Sequence, residues 1–215
     1  MHRKYFHYTK FFLFWSPITQ IKKMPRFTIT FNQSLLTVLK YPVEDITELV
    51  IKNSKCALEP REIKVLQELK NLKTLKIYSY EWENINEIVN THTTLKKLVL
   101  YNCPMLTTIN QEKAISLVVY GSPLLLDENI APTPNMIAIA MSNCLNITGE
   151  CFMGARSIIC DCLVSFTEEM LMKIVAHRVP KSLRLKRMHF TPSNLPPIKN
   201  YNLCWKWKIC INNFY

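Results

Sequence analysis

Eight cysteines, five histidines and one pair of adjacent glutamates are the side chains in this 215-residue chain best equipped for metal binding or catalysis. Zinc sites pair cysteines across a two-residue gap, with further ligands at matching intervals. Cys160 and Cys162 are separated by a single residue, and His2, His7, His92, His177 and His189 fall at no ligand interval from any cysteine. Neither a zinc site nor a redox Cys-x-x-Cys pair is expected. Glu168-Glu169 opens a stretch of helical period, where carboxylates are stabilised by the positive end of the helix dipole without any acid–base role. No nucleophile elbow, H-E-x-x-H or kinase set is present, and with 3 glycines there is no phosphate-cradling loop. The expectation is a non-enzymatic protein with no cofactor, no metal and no small-molecule substrate.

Binding chemistry is what remains. A hydrophobic fraction of 48% against 20% charged residues argues for a folded chain of one-domain size. The net charge of +11 is uneven: residues 1–40 hold seven bases and no acid, and residues 151–215 hold ten bases against three acids. Residues 41–100 balance, and 101–150 are net acidic. Basic ends attract anionic partners, whether nucleic acid, anionic lipid or acidic protein; the same charges also serve as an ordinary solvated surface.

The architecture shows in the stretch LKKLVLYNCPMLTTI, residues 95–109. Numbering Leu95, Leu98, Leu100 and Cys103 as positions 1, 4, 6 and 9, the same frame fits Met136, Ile139, Met141 and Cys144. In both copies an asparagine precedes the cysteine (Asn102, Asn143), and an aliphatic residue and a threonine follow it (Leu106-Thr107, Ile147-Thr148). Weaker copies place position 4 at Leu49, Leu75, Leu117, Cys160 and Leu183, the last repeat of the set ending near 190. In the copy around Cys160 the frame puts Cys162 at position 6 and Ser165 at position 9. The spacings of 19 to 26 residues are those of a stacked repeat.

This pattern, L-x-x-L-x-L-x-x-N/C, resembles the leucine-rich repeat. The copies ending in Cys103 and Cys144 are similar to the cysteine-containing subtype found in F-box/leucine-rich-repeat adaptor proteins, although nothing before residue 45 reads as an F-box. The resemblance implies an α/β repeat fold: a short leucine-rich-repeat solenoid with one parallel sheet on the concave side and helical or irregular convex legs. Positions 4 and 6 point inward and stack, positions 3, 5 and 7 face out, and position 9 turns the chain inward. Helices are expected in PREIKVLQELKN, NINEIVNTHT and TEEMLMKIVAHR, the last capped by Thr167, and an irregular leg in DENIAPTPN. The domain plan is a basic, aromatic leader at 1–23, an N-terminal cap at 24–44, about seven divergent repeats over 45–190, and a C-terminal cap strand and tail at 191–215.

Two candidate sites follow. Position 7 reads Lys52, Tyr78, Tyr101, Tyr120, Ser142, Leu163 and Lys186, so three tyrosines would form a ladder, with Lys76 and Val99 (position 5) and Lys97 (position 3) beside it. Tyrosine is common at interface hot spots, and it also simply suits strands, where a ladder packs on itself. The surface implies a protein partner and an adaptor-like role. The alternative site is a basic patch of Lys181, Arg184, Lys186 and Arg187, with Lys206 and Lys208 interleaved by Trp205 and Trp207, as nucleic-acid surfaces are. The same tail reads better as a terminal strand covering the core.

Cys103, Cys144, Cys160 and Cys162 are read as buried reduced thiols, which implies a cytoplasmic, reducing compartment. A secreted effector is the alternative, because residues 1–23 are weakly signal-like and two N-glycosylation sequons occur, Asn32-Gln33-Ser34 and Asn146-Ile147-Thr148.

Overall fold

The computed structural model describes residues 26–30, 34–40, 42–52, 56–92, 94–131 and 135–204. Within them the chain lays down nine short strands in one open parallel sheet whose spatial order is the order of the sequence. The strands are β1 Arg26–Thr30, β2 Glu48–Lys52, β3 Thr74–Tyr78, β4 Lys97–Tyr101, β5 Ser116–Tyr120, β6 Ala138–Ser142, β7 Ser157–Asp161, β8 Ser182–Lys186 and β9 Asn200–Cys204. Each occupies positions 3 to 7 of the repeat frame, and each pairs with the next without offset, so Leu75, Leu98, Leu117 and Ile139 lie side by side. The arrangement is α/β and repeat-like.

Alternation explains which side is core. Leu98 and Leu100 are fully buried, as are Leu75 and Ile77, and their counterparts continue the stack through Leu183 and Leu185. The three helices close this face: α1 Pro60–Glu68, α2 Ile85–Asn90 and α3 Glu168–His177, each where its apolar period predicts it. Their buried apolar residues (Ile63, Val65, Leu66; Ile85, Ile88, Val89; Leu171, Ile174, Val175) all join the core cluster. Pro60 stands at the first helical position of α1, and Thr167 caps α3 by accepting from the Met170 N–H at 3.2 Å.

The irregular legs are tied coil to coil by polar side chains. Asn86 Oδ1 accepts from the Thr107 and Thr108 N–H groups at 2.8 and 3.0 Å, and the Asn71 and Asn146 amides donate to the Glu44 and Pro123 carbonyls. Asp127 accepts from the Thr148 N–H at 2.6 Å and the Cys151 N–H at 2.9 Å. Burial pushes its carboxyl up, but these backbone and side-chain donors outweigh it and hold the pKa below the ordinary value. The second sequon is thus occupied structurally: the Asn146 amide and the Thr148 hydroxyl both bond the preceding coil.

Two expectations are revised. In the seventh strand position 4 is Ile158 and position 6 is Cys160, so the expected register was two residues late. A two-residue slip preserves which face each side chain takes, so Cys160 and Cys162 imitated the correct pair. Cys162 is consequently not an inward residue; it lies half-buried in the turn, and Leu163, expected on the outer row, is buried at position 9. The sheet also runs past both ends of the 45–190 span, since β1 falls within 24–44 and pairs with β2 as a further rung. At the other end β9, Asn200–Cys204, adds a rung inside 191–215 by pairing with β8. Residues 1–23, Asn32, Pro132, Pro134 and Trp205 to Lys208 lie outside the described residues.

Candidate partner-binding surface

The turn after each strand determines how the outer row is presented. Position 8 takes a left-handed backbone at Ser79, Asn102, Gly121, Asn143, Cys162 and Arg187, with φ between 48 and 68°. Asparagine and glycine tolerate that region best, which gives the physical reason for the asparagine before each repeat cysteine. The residue after it then dives inward: Tyr80, Cys103, Ser122, Cys144, Leu163 and Met188 are all buried. The Cys103 and Cys144 thiols donate to the carbonyls of Tyr101 (3.6 Å) and Ser142 (3.4 Å), two residues back. Burial pushes these thiols up, to about 12 and about 11, so they stay protonated and serve as packing. Tyr80 fills the same position with its hydroxyl donating to Asn84 Oδ1 at 2.7 Å and accepting from the Leu58 N–H at 2.9 Å.

On the outer face the tyrosine ladder forms. Tyr78 and Tyr101 stack with ring centroids 5.2 Å apart, and Tyr101 and Tyr120 at 4.6 Å with planes within 2°. These separations match the spacing of neighbouring strands, so the backbone sets the ring distance. Lys52 Nζ covers the free end, 5.5 Å from the Tyr78 centroid. The stacks occupy both faces of Tyr101 and one face each of Tyr78 and Tyr120, so the rings offer mainly edges and hydroxyls to the exterior. Burial, then the neighbouring Tyr101 and Asp161, raise the Tyr120 phenol above its usual value, with Arg184 pulling the other way.

The row continues as Ser142, Asp161 and Lys186. Ser142 is buried between taller neighbours, and Asp161 accepts from Arg187 Nε at 2.7 Å. Beside the ladder runs an apolar row at position 5: Val50, Val99, Val118, Ala140 and Ile159, broken by Lys76. Val50, Val99 and Ala140 are buried and yet lie outside the core cluster. Lys76 is anchored to Glu48 at 2.8 Å, and Lys97 is exposed.

Thus Tyr78, Tyr101, Tyr120, Lys76, Lys97 and Val99 come together on one face, half-buried more than fully exposed. The alternative basic patch is described only in part. Lys181 and Arg184 are exposed, Lys186 is half-buried, Arg187 is committed to Asp161, and Lys206 and Lys208 lie outside the described residues. Sequence reasoning passed over the row at position 2, just before strands β3 to β8: Lys73, Lys96, Ile115, Ile137, Arg156 and Lys181, of which only Lys181 was singled out. Extending the frame one residue backward would have revealed it. Among the described residues there is no cluster of three or more potential metal ligands and no helix long and apolar enough to cross a membrane. Comparison with protein-family models, curated proteins and solved structures returned no match to this chain.

Proposed function

We propose that the chain is a leucine-rich-repeat solenoid that works without catalysis, binding a protein partner across the outer face of its sheet. The observation that carries this reading is a continuous face of stacked tyrosines and small aliphatics beside which no helix among the described residues packs. Parallel sheets usually have both faces covered, so a face that none of the described helices covers is the one to which a partner is assigned. Nucleic acid fits this face poorly. Bases bind protein aromatics by stacking on ring faces, and here both faces of Tyr101 and one face each of Tyr78 and Tyr120 are filled by neighbouring rings.

Affinity capture from the source cells with wild type and Tyr101→Ala tests the reading. Hot-spot truncation costs about 2 kcal/mol of binding, roughly a thirtyfold loss of affinity, so the partner retained by wild type is expected to disappear from the variant. The variant also loses stacking on both sides, about 1–2 kcal/mol of stability, so the comparison is made well below its unfolding temperature. Equal capture by the two proteins would overturn the assignment of this face.

A further inference from the structure

We propose that the N-terminal rim of the strands selects an acidic partner segment with an aliphatic centre, laid across the coils. This rests on the sheet being a protein-binding surface and adds the chemistry of what binds. Position 2 is held in register by its own backbone ladder. Lys73 N–H donates to the Thr47 carbonyl at 2.9 Å, Lys96 to Lys73 at 2.8 Å, Ile115 to Lys96 at 2.9 Å and Ile137 to Ile115 at 2.9 Å. Between Ile137 and Arg156 the link passes through the next residue, Ser157, whose N–H donates to the Ile137 carbonyl at 2.8 Å, and Lys181 N–H then donates to Arg156 at 2.7 Å.

The result is an ordered sequence of side chains: Lys73 and Lys96 on two coils, Ile115 and Ile137 on the next two, and Arg156 and Lys181 on the two after that. Lys73, Lys96, Lys97, Arg156 and Lys181 are exposed, and none forms an ion pair among the described residues. Like charges on adjacent strands are unfavourable, and here two such pairs stand uncompensated. The contrast is local, because Arg26 and Lys76 on the same sheet both meet Glu48. Between the two cationic pairs Ile137 is 46% exposed.

Five strand steps separate Lys73 from Lys181, about 24 Å at the usual strand spacing, the reach of about seven extended residues. An acidic pair, a short aliphatic stretch and a second acidic pair would match the row in both length and charge. RNA is disfavoured because the central isoleucines give a base no ring to stack on.

The test is fluorescence anisotropy with a labelled peptide of about ten residues carrying an acidic pair at each end and leucines between. Parallel arms use the same peptide with serines for leucines, a single-stranded RNA of similar length, and vesicles rich in phosphatidylserine. The acidic–aliphatic peptide is expected to bind tightest, with affinity falling as salt is raised. Lys96→Glu/Arg156→Glu should weaken it about tenfold or more, and Ile137→Ser about threefold to tenfold, with melting curves near wild type because these side chains are exposed. Peptide binding indifferent to Lys96→Glu/Arg156→Glu, or tighter binding of RNA or vesicles than of the peptide, would overturn the proposal. Should the peptide fail while a natural partner is still lost with Tyr101→Ala, the rim assignment falls and the face assignment stands.

Discussion

Asn102 and Gly121 occupy the same turn position in neighbouring coils, and together they show how little freedom the turn allows. Both have positive φ, 51 and 68°, and a Cβ built on Gly121 would lie 2.8 Å from Asn102 Oδ1. Gly121→Ala therefore suffers a left-handed backbone and a contact with a side chain of the preceding coil. It should lose about 1–2 kcal/mol of stability in chemical denaturation, whereas Asn102→Gly should be near neutral or slightly stabilising. An unchanged Gly121→Ala midpoint would mean that the turn is not left-handed. Asparagine before the repeat cysteine was visible in the sequence, but its cause was not, because hydrophobic pattern reports burial and says nothing about φ. Likewise the tyrosine column was legible from spacing alone, whereas its closed stacking depends on ring orientation, which spacing does not carry.

Between elements, His92 links the two N-terminal helices. It follows α2, is 7% exposed, and its Nε2–H donates to the Leu66 carbonyl of α1. Burial lowers its pKa and the carbonyl bond raises it, the balance lying below the ordinary 6.5. The unfolded chain thus binds a proton more readily than the folded one, so stability is full above about pH 6.5 and declines as pH falls toward the folded pKa. Urea midpoints measured at pH 7.5 and pH 5.5 should show that decline in wild type and a smaller one in His92→Gln; identical declines would remove His92 as the cause. The strands themselves were readable wherever two large aliphatics stood at positions 4 and 6. One was missed where the pair was weaker, as in Phe27-x-Ile29 of β1. In β7 a pair of cysteines mimicked the aliphatic pair two residues later. The helices were legible because their apolar period and caps coincide, at Pro60 and at Thr167.

For the assembled sheet, everything proposed about binding depends on strands stacking without offset. Each coil cannot bury its inner face alone, so Leu75, Leu98 and Leu117 must lie over one another for the core to form, and the outer side chains follow. The tyrosine ladder and the basic rim are then two consequences of a single register. One was found from the sequence because tyrosines recur, and the other was passed over because its residue types change along the row. Proton nuclear Overhauser contacts among the tyrosine rings test that register. The structure requires the Tyr101 ring to contact both Tyr78 and Tyr120, with none between Tyr78 and Tyr120. A direct Tyr78–Tyr120 contact, or a Tyr101 ring in contact with the inner leucines and with neither tyrosine, would contradict it.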